Sequence, residues 1–167
     1  MKGPVLLFIR LCVIVFLWSS PVFAAGSGFD NSSALEGLTE VQVYFDVTQG
    51  KADVLLARMD LIERTLKQLE QDSIAVTAVI GFRAGASHYI TAGKDYVLDE
   101  EIATKLKIGA WVQQFSQSGI TVEQCSIAAA QQGITAADFL PEVTVVQNGF
   151  VSLIGYQAKG FAVIPIY

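Results

Sequence analysis

The 167-residue chain carries 11 basic and 16 acidic side chains, a net charge of −5, and 52% of its residues are hydrophobic. That balance speaks against nucleic acid or an anionic membrane surface as a partner. Outside the N-terminal apolar segment there is one cysteine, Cys125, and one histidine, His88, with no carboxylate at short helical spacing to either, too few for a zinc site within one chain.

The chain opens with Lys2, a mostly apolar stretch bearing Arg10, and the apolar run Leu11 to Trp18. Ser19-Ser20-Pro21 breaks the run and Val22-Phe23-Ala24 follows, the pattern of a secretory signal peptide cut after Ala24. A stable membrane anchor is not expected, because a span takes about 20 apolar residues and extending this run backwards would bury Arg10. Cys12 lies inside the apolar segment and is no lipid-attachment site. Cleavage takes 24 of the 167 residues together with Lys2 and Arg10, so the mature chain holds 9 basic and 16 acidic residues. It is expected to be periplasmic or secreted, with Cys125 as its one thiol. A lone cysteine forms no internal disulfide, so it is free, intermolecular or reactive.

Residues 25–39, rich in Gly, Ser and Asn, read as a flexible leader, and residues 40–167 read as one domain. Val41 to Val47 predicts a first strand. Leu55, Met59, Ile62, Leu66 and Leu69 mark the apolar face of a helix over 53–70. Ile74 to Ile80 predicts a second strand, ended by Gly81. A loop from Phe82 to Asp95 follows, carrying Arg83, His88 and Lys94. A helix begins at Asp99, which can cap it, with Glu100 and Glu101 in its first turn. It continues through Ile102, Leu106, Ala110 and Phe115 to Gly119. Ile120 to Glu123 predicts a third strand. Ser126 can cap a brief helix over 127–132, closed by Gly133, and Thr135 to Asp138 has capping-box spacing. Val143 to Val146 and Phe161 to Ile164 predict two more strands, with a short amphipathic turn from Phe150 to Gln157 between them. Strands alternating with helices imply a parallel sheet covered on both faces.

Cys125 stands where a strand gives way to a helix. Ligands of open parallel sheets bind beyond the carboxyl ends of strands, and helix N-termini favour anions, a thiolate among them. Ser126, His88, Arg83 and Lys94 are the candidate anion- or substrate-binding residues around it. His88 also suits a packing role in a long loop. Asp46, at the end of the first strand, reads as a turn or capping residue. The stretch from His88 to Lys94 has neither the first glycine nor the terminal Ser or Thr of a phosphate-binding loop, and no G-x-S-x-G turn is present. No cofactor and no metal are called for.

The ordered segments Gly119 to Cys125, Gly133-Ile134, Asp138 to Pro141, Val143 to Gly149 and Tyr156 to Pro165 together resemble DsrE/DsrF-like sulfur-relay proteins. The likeness is strongest from Gly119 to Pro165. It implies a three-layer α/β/α domain with a mostly parallel five-stranded sheet, assembled into trimers or hexamers. It further implies that Cys125 carries a persulfide between a sulfur donor protein and an acceptor, as a sulfurtransferase or sulfur carrier. Family members often have a His-Gly pair soon after the second strand; here that stretch reads Gly81-Phe82-Arg83-Ala84-Gly85. The other class of reading is a non-catalytic oligomeric module that binds a small molecule or protein, with Cys125 inert or redox-sensing.

Overall fold

The computed structural model describes residues 29–167, and the expected signal peptide lies outside the described residues. Within the stretch read as a leader, Ser32–Leu35 forms one helical turn, α1, with the Asp30 carboxylate accepting from the Ser32 backbone N–H. Residues Gly37–Tyr167 form a compact unit of their own.

That unit is built on five strands: β1 (Glu40–Val47), β2 (Ala75–Phe82), β3 (Thr121–Cys125), β4 (Thr144–Val146) and β5 (Ala162–Ile166). All neighbours pair in parallel, in the order β4-β3-β2-β1-β5. The last five residues of β1 and of β2 are all buried, as parallel strands covered on both faces must be.

Alternation along the strands divides the core into two layers. Val43, Phe45 and Val47 of β1, with Ala78, Ile80 and Phe82 of β2, meet helices α2 (Ala52–Gln71) and α3 (Ile102–Gln117). Short helix α4 (Ser126–Gln131) joins that layer through Ala129. Tyr44 and Val79 point the other way and meet Phe161 with Leu153 and Tyr156 of α5 (Gly149–Ala158). The result is a three-layer α/β/α sandwich.

Helix α2 buries Leu55, Met59, Ile62 and Leu66 as the periodicity predicts. In α3 the buried row is Ile108, Val112 and Phe115, whereas Leu106 is 65% exposed. Two residues before Ile108, Leu106 lies about 200° around the helix. The start of α3 also differs from expectation: Asp99–Glu101 is a 3-10 turn whose N-cap is Leu98, with the Glu101 carboxylate accepting the Leu98 N–H. Gly119, at φ +80, ends the helix as expected. The amphipathic turn expected from Phe150 is a regular ten-residue helix, capped by Asn148 Oδ1, which accepts from the Phe150 N–H.

Two strand ends run further than the sequence suggests, and both shape the site. β2 continues through Gly81 to Phe82, because Gly81 keeps strand pairing with Asp46 and Glu123. β3 continues through Gln124 to Cys125, which pair with Val145 and Val146 of β4.

Candidate functional site

At the carboxyl edge of the sheet, the connections that leave β3 and β4 diverge. From β3 the chain turns into α4 on the α2/α3 face; from β4 it turns into α5 on the opposite face. Ligands of open α/β sheets bind where adjacent connections diverge in this way. Cys125, the last residue of β3, sits at that point. Its side chain packs on Gly149, the first residue of α5: a Cβ placed there would lie 2.9 Å from Cys125 Cβ and 3.5 Å from Sγ. Cys125 forms no disulfide among the described residues and is 7% exposed.

The alternation that turns Cys125 towards α5 turns Glu123 the same way, and it gives the α5 face an unusual density of polar groups. β1 contributes Tyr44 and Asp46, β2 Arg83 just past its end, β3 Glu123, and α5 Tyr156. Arg83 donates from Nε to Asp46 Oδ1 (2.7 Å) and from Nη2 to Asp46 Oδ2 (2.5 Å), the bidentate fork that favours arginine over lysine. Its guanidinium lies 4.9 Å from the centroid of Phe150, in the first turn of α5. These bonds hold the Arg83 proton more firmly than usual, partly offset by burial, with the Asp46 charge and the neighbouring Tyr44 and Cys125 side chains adding to the effect. Tyr156 donates to Glu123 Oε1 at 2.9 Å, while Glu123 Oε2 is buried with no partner. Burial raises the Tyr44 phenol well above its ordinary value, and the carboxylates of Glu123 and Asp46 push it further.

Of the five residues singled out in the sequence, the structure brings Arg83 to Cys125. Ser126 is adjacent, but it does not cap α4. It is the first residue of that helix, and its hydroxyl donates to the Gln147 carbonyl at 2.8 Å, tying β3's end to the loop before α5. His88 lies in a 3-10 helix, Ala84–Ile90, rather than in an open loop. That helix packs on α3 and α4. His88 is half-buried, its carbonyl accepts from Thr91 Oγ1, and its Nδ1 is buried with no hydrogen-bond partner. Lys94 is exposed beside a hollow over α3 that it shares with Lys105 and Leu106. Lys105 is the buried cation there, donating to Thr91 Oγ1 and to the Gly93 carbonyl. Burial lowers the pKa of Lys105, and Asp95 partly opposes this.

Asp46, Glu123, Tyr44 and Tyr156 were not among the sequence candidates. Asp46 is an ion-pair partner rather than a turn residue. A signal for three of these four was present: Tyr44-x-Asp46 and Glu123-x-Cys125 place polar residues two apart at the ends of otherwise apolar strands, on one face.

The tyrosines give the fold an alkaline limit. Tyr156 is pushed up to about 12 by burial and by its bond to Glu123, and Tyr89 to about 12 by burial and by its bond to Glu101. Unfolded, each phenol releases its proton near 10.0. Between those values the folded chain binds more protons, so stability falls as pH rises. Unfolding free energy from urea titrations is expected to drop as pH rises from about 10 towards 12, with a shallower drop in Tyr156→Phe. An equal drop in wild type and variant would contradict this.

No protein-family model matches the chain, and no curated protein does. Among solved structures it is similar to a protein of unknown function from Methanobacterium thermoautotrophicum, with a TM-score of 0.60 at 18% identity, covering 75% of this chain and 98% of that one. The likeness is one of fold.

Proposed function

We propose that this protein is an exported sulfur carrier: Cys125 accepts sulfane sulfur as a persulfide and passes it to a partner protein. The observation that carries this reading is the position of the thiol. It closes β3 where the connections from β3 and β4 diverge, against the start of α5 and beside a guanidinium. Arg83 spends Nε and Nη2 on Asp46, and its outer nitrogen, Nη1, remains to receive an anionic donor such as thiosulfate. Phe150 and Ile154 of α5, 56% and 65% exposed, with Val151 between them, offer an apolar surface beside the thiol for a partner to cover. A groove lined by Val41, Phe45, Leu61, Ile164 and Ile166 between α2 and the β1/β5 edge offers self-association a second one, in keeping with the trimers or hexamers of the sulfur-relay proteins that the sequence resembles.

The test is intact mass of the mature protein after incubation with thiosulfate or polysulfide. Wild type is expected to gain sulfur that reductant removes, and Cys125→Ser to gain none. Full loading of the serine variant would sink the proposal.

The burial of Cys125 against Gly149 favours a second reading, an oligomeric binding module in which the thiol is packing. Its signature is a native protein that neither gains sulfur nor reacts with an alkylating agent, while the unfolded chain does react.

A further inference from the structure

One polar group in the site remains unexplained by the reading above. Glu123 is 6% exposed, and only one of its carboxyl oxygens has a partner, the Tyr156 hydroxyl. A buried carboxyl oxygen without a hydrogen bond is costly. Glu123 stands two residues before Cys125 on the same strand face, a Cα interval of roughly 6–7 Å. That is a distance a glutamate side chain and a thiol can bridge between them.

The charges around it narrow what it can do. Facing Glu123 and Cys125 are Tyr44 and Asp46 from β1, Arg83 from β2 and Tyr156 from α5. Both phenols are protonated at neutral pH, and Asp46 neutralises Arg83. Glu123 and Cys125 remain, both buried on one strand face, and the guanidinium near Cys125 is already paired with Asp46. Two negative charges brought into one buried site oppose each other.

We propose that Glu123 is the proton acceptor of Cys125, holding the thiol's proton while the sulfur bears the charge. The inference rests on the reading of Cys125 as a sulfur carrier. In the loading step the thiol proton moves to the Glu123 carboxylate, and Sγ attacks the outer sulfur of thiosulfate. A new S–S bond forms on Sγ, the S–S bond of thiosulfate breaks, and sulfite leaves with the electron pair of that bond. The products are a persulfide anion and a neutral Glu123. The buried pair therefore carries one negative charge before and after the transfer, and no outside oxidant or reductant is needed. Passing the sulfur to an acceptor thiolate leaves a Cys125 thiolate, to which Glu123 returns the proton.

The experiment is the rate of Cys125 alkylation by iodoacetamide across pH, in wild type and in Glu123→Gln. A shared proton gives wild type two rises separated by a plateau, because such a pair loses its protons in two macroscopic steps. Glu123→Gln, which keeps the shape and the Tyr156 contact, is expected to lose the lower rise and retain a single one. Identical profiles in the two proteins overturn the proposal, as does a wild-type thiol that stays silent at every pH. Should Glu123→Gln fail to fold, Tyr156→Phe serves. Without the hydroxyl that stabilises its ionised form, the carboxyl keeps its proton to higher pH, so the lower rise moves up; an unmoved lower rise overturns the proposal. Sulfur loading by intact mass, run alongside, separates the two ideas. Two-step alkylation without loading retains the proton pair and removes the sulfur carrier, whereas loading with identical profiles does the reverse.

Discussion

Gly81→Ala is expected to lower the unfolding free energy by about 2–3 kcal/mol, the upper part of the range for forcing extra volume into a packed interior. Gly81 sits inside β2 and pairs with Asp46, so neither a turn nor an unusual φ explains the glycine. Space explains it. A Cβ at this position would fall 1.8 Å from the Tyr44 hydroxyl oxygen and 2.4 Å from the ring carbon that bears it. Tyr44 is 3% exposed, and its ring centroid lies 5.4 Å from that of Tyr156. The ring cannot swing away without disturbing Tyr156 and, through it, Glu123. A double-mutant cycle isolates the effect: in a Tyr44→Ala background the same Gly81→Ala change is expected to cost little, with a coupling of about 2 kcal/mol. Equal costs in the two backgrounds, read from chemical denaturation, would show that the glycine serves the strand rather than the ring.

That glycine also shows where sequence reading reaches its limit. Read along the chain, Gly81 ends a strand, because glycine is a common stop; the partner that makes it necessary is 37 residues away. The sheet itself is legible from local signals. Apolar runs such as Ile74 to Ile80, separated by helical periodicity and glycine stops, lead to the parallel α/β sandwich that the structure displays. Leu106 marks the opposite failure, a leucine at plausible helical spacing that the tertiary packing of Ile108, Val112 and Phe115 turns outward. The site was half legible. A strand-to-helix step identifies Cys125, and a cation just past a neighbouring strand identifies Arg83. Asp46, Glu123 and Tyr156 depend on strand order and on α5 crossing to the far face. Alternation within a strand can suggest the first two, but no local pattern brings Tyr156 to Glu123.

Asp46→Asn is expected to move stability and reactivity in opposite directions. The carboxylate makes two short bonds to Arg83, whose side chain is 26% exposed against 9% for Asp46. Exposed ion pairs contribute at most about 1 kcal/mol, while breaking a fully buried one costs about 3–5 kcal/mol. With one partner nearly buried and the other partly wet, a loss of about 2 kcal/mol is expected from urea unfolding. Asparagine keeps an acceptor for one N–H but sets its own NH₂ against the other, so shape alone does not restore the pair. The thiol feels the reverse effect. Arg83 lies close enough to Cys125 for their charges to interact, and in wild type Asp46 cancels most of the guanidinium's field. Once that carboxylate is gone, the positive charge favours the thiolate, so alkylation of Cys125 at neutral pH is expected to rise several-fold in the less stable protein. Added salt should weaken the increase, since a partly exposed charge is screened. A variant that is less stable yet alkylated no faster than wild type would confine Arg83 to a structural role, and the anion-receiving part of the sulfur-carrier proposal would fall with it.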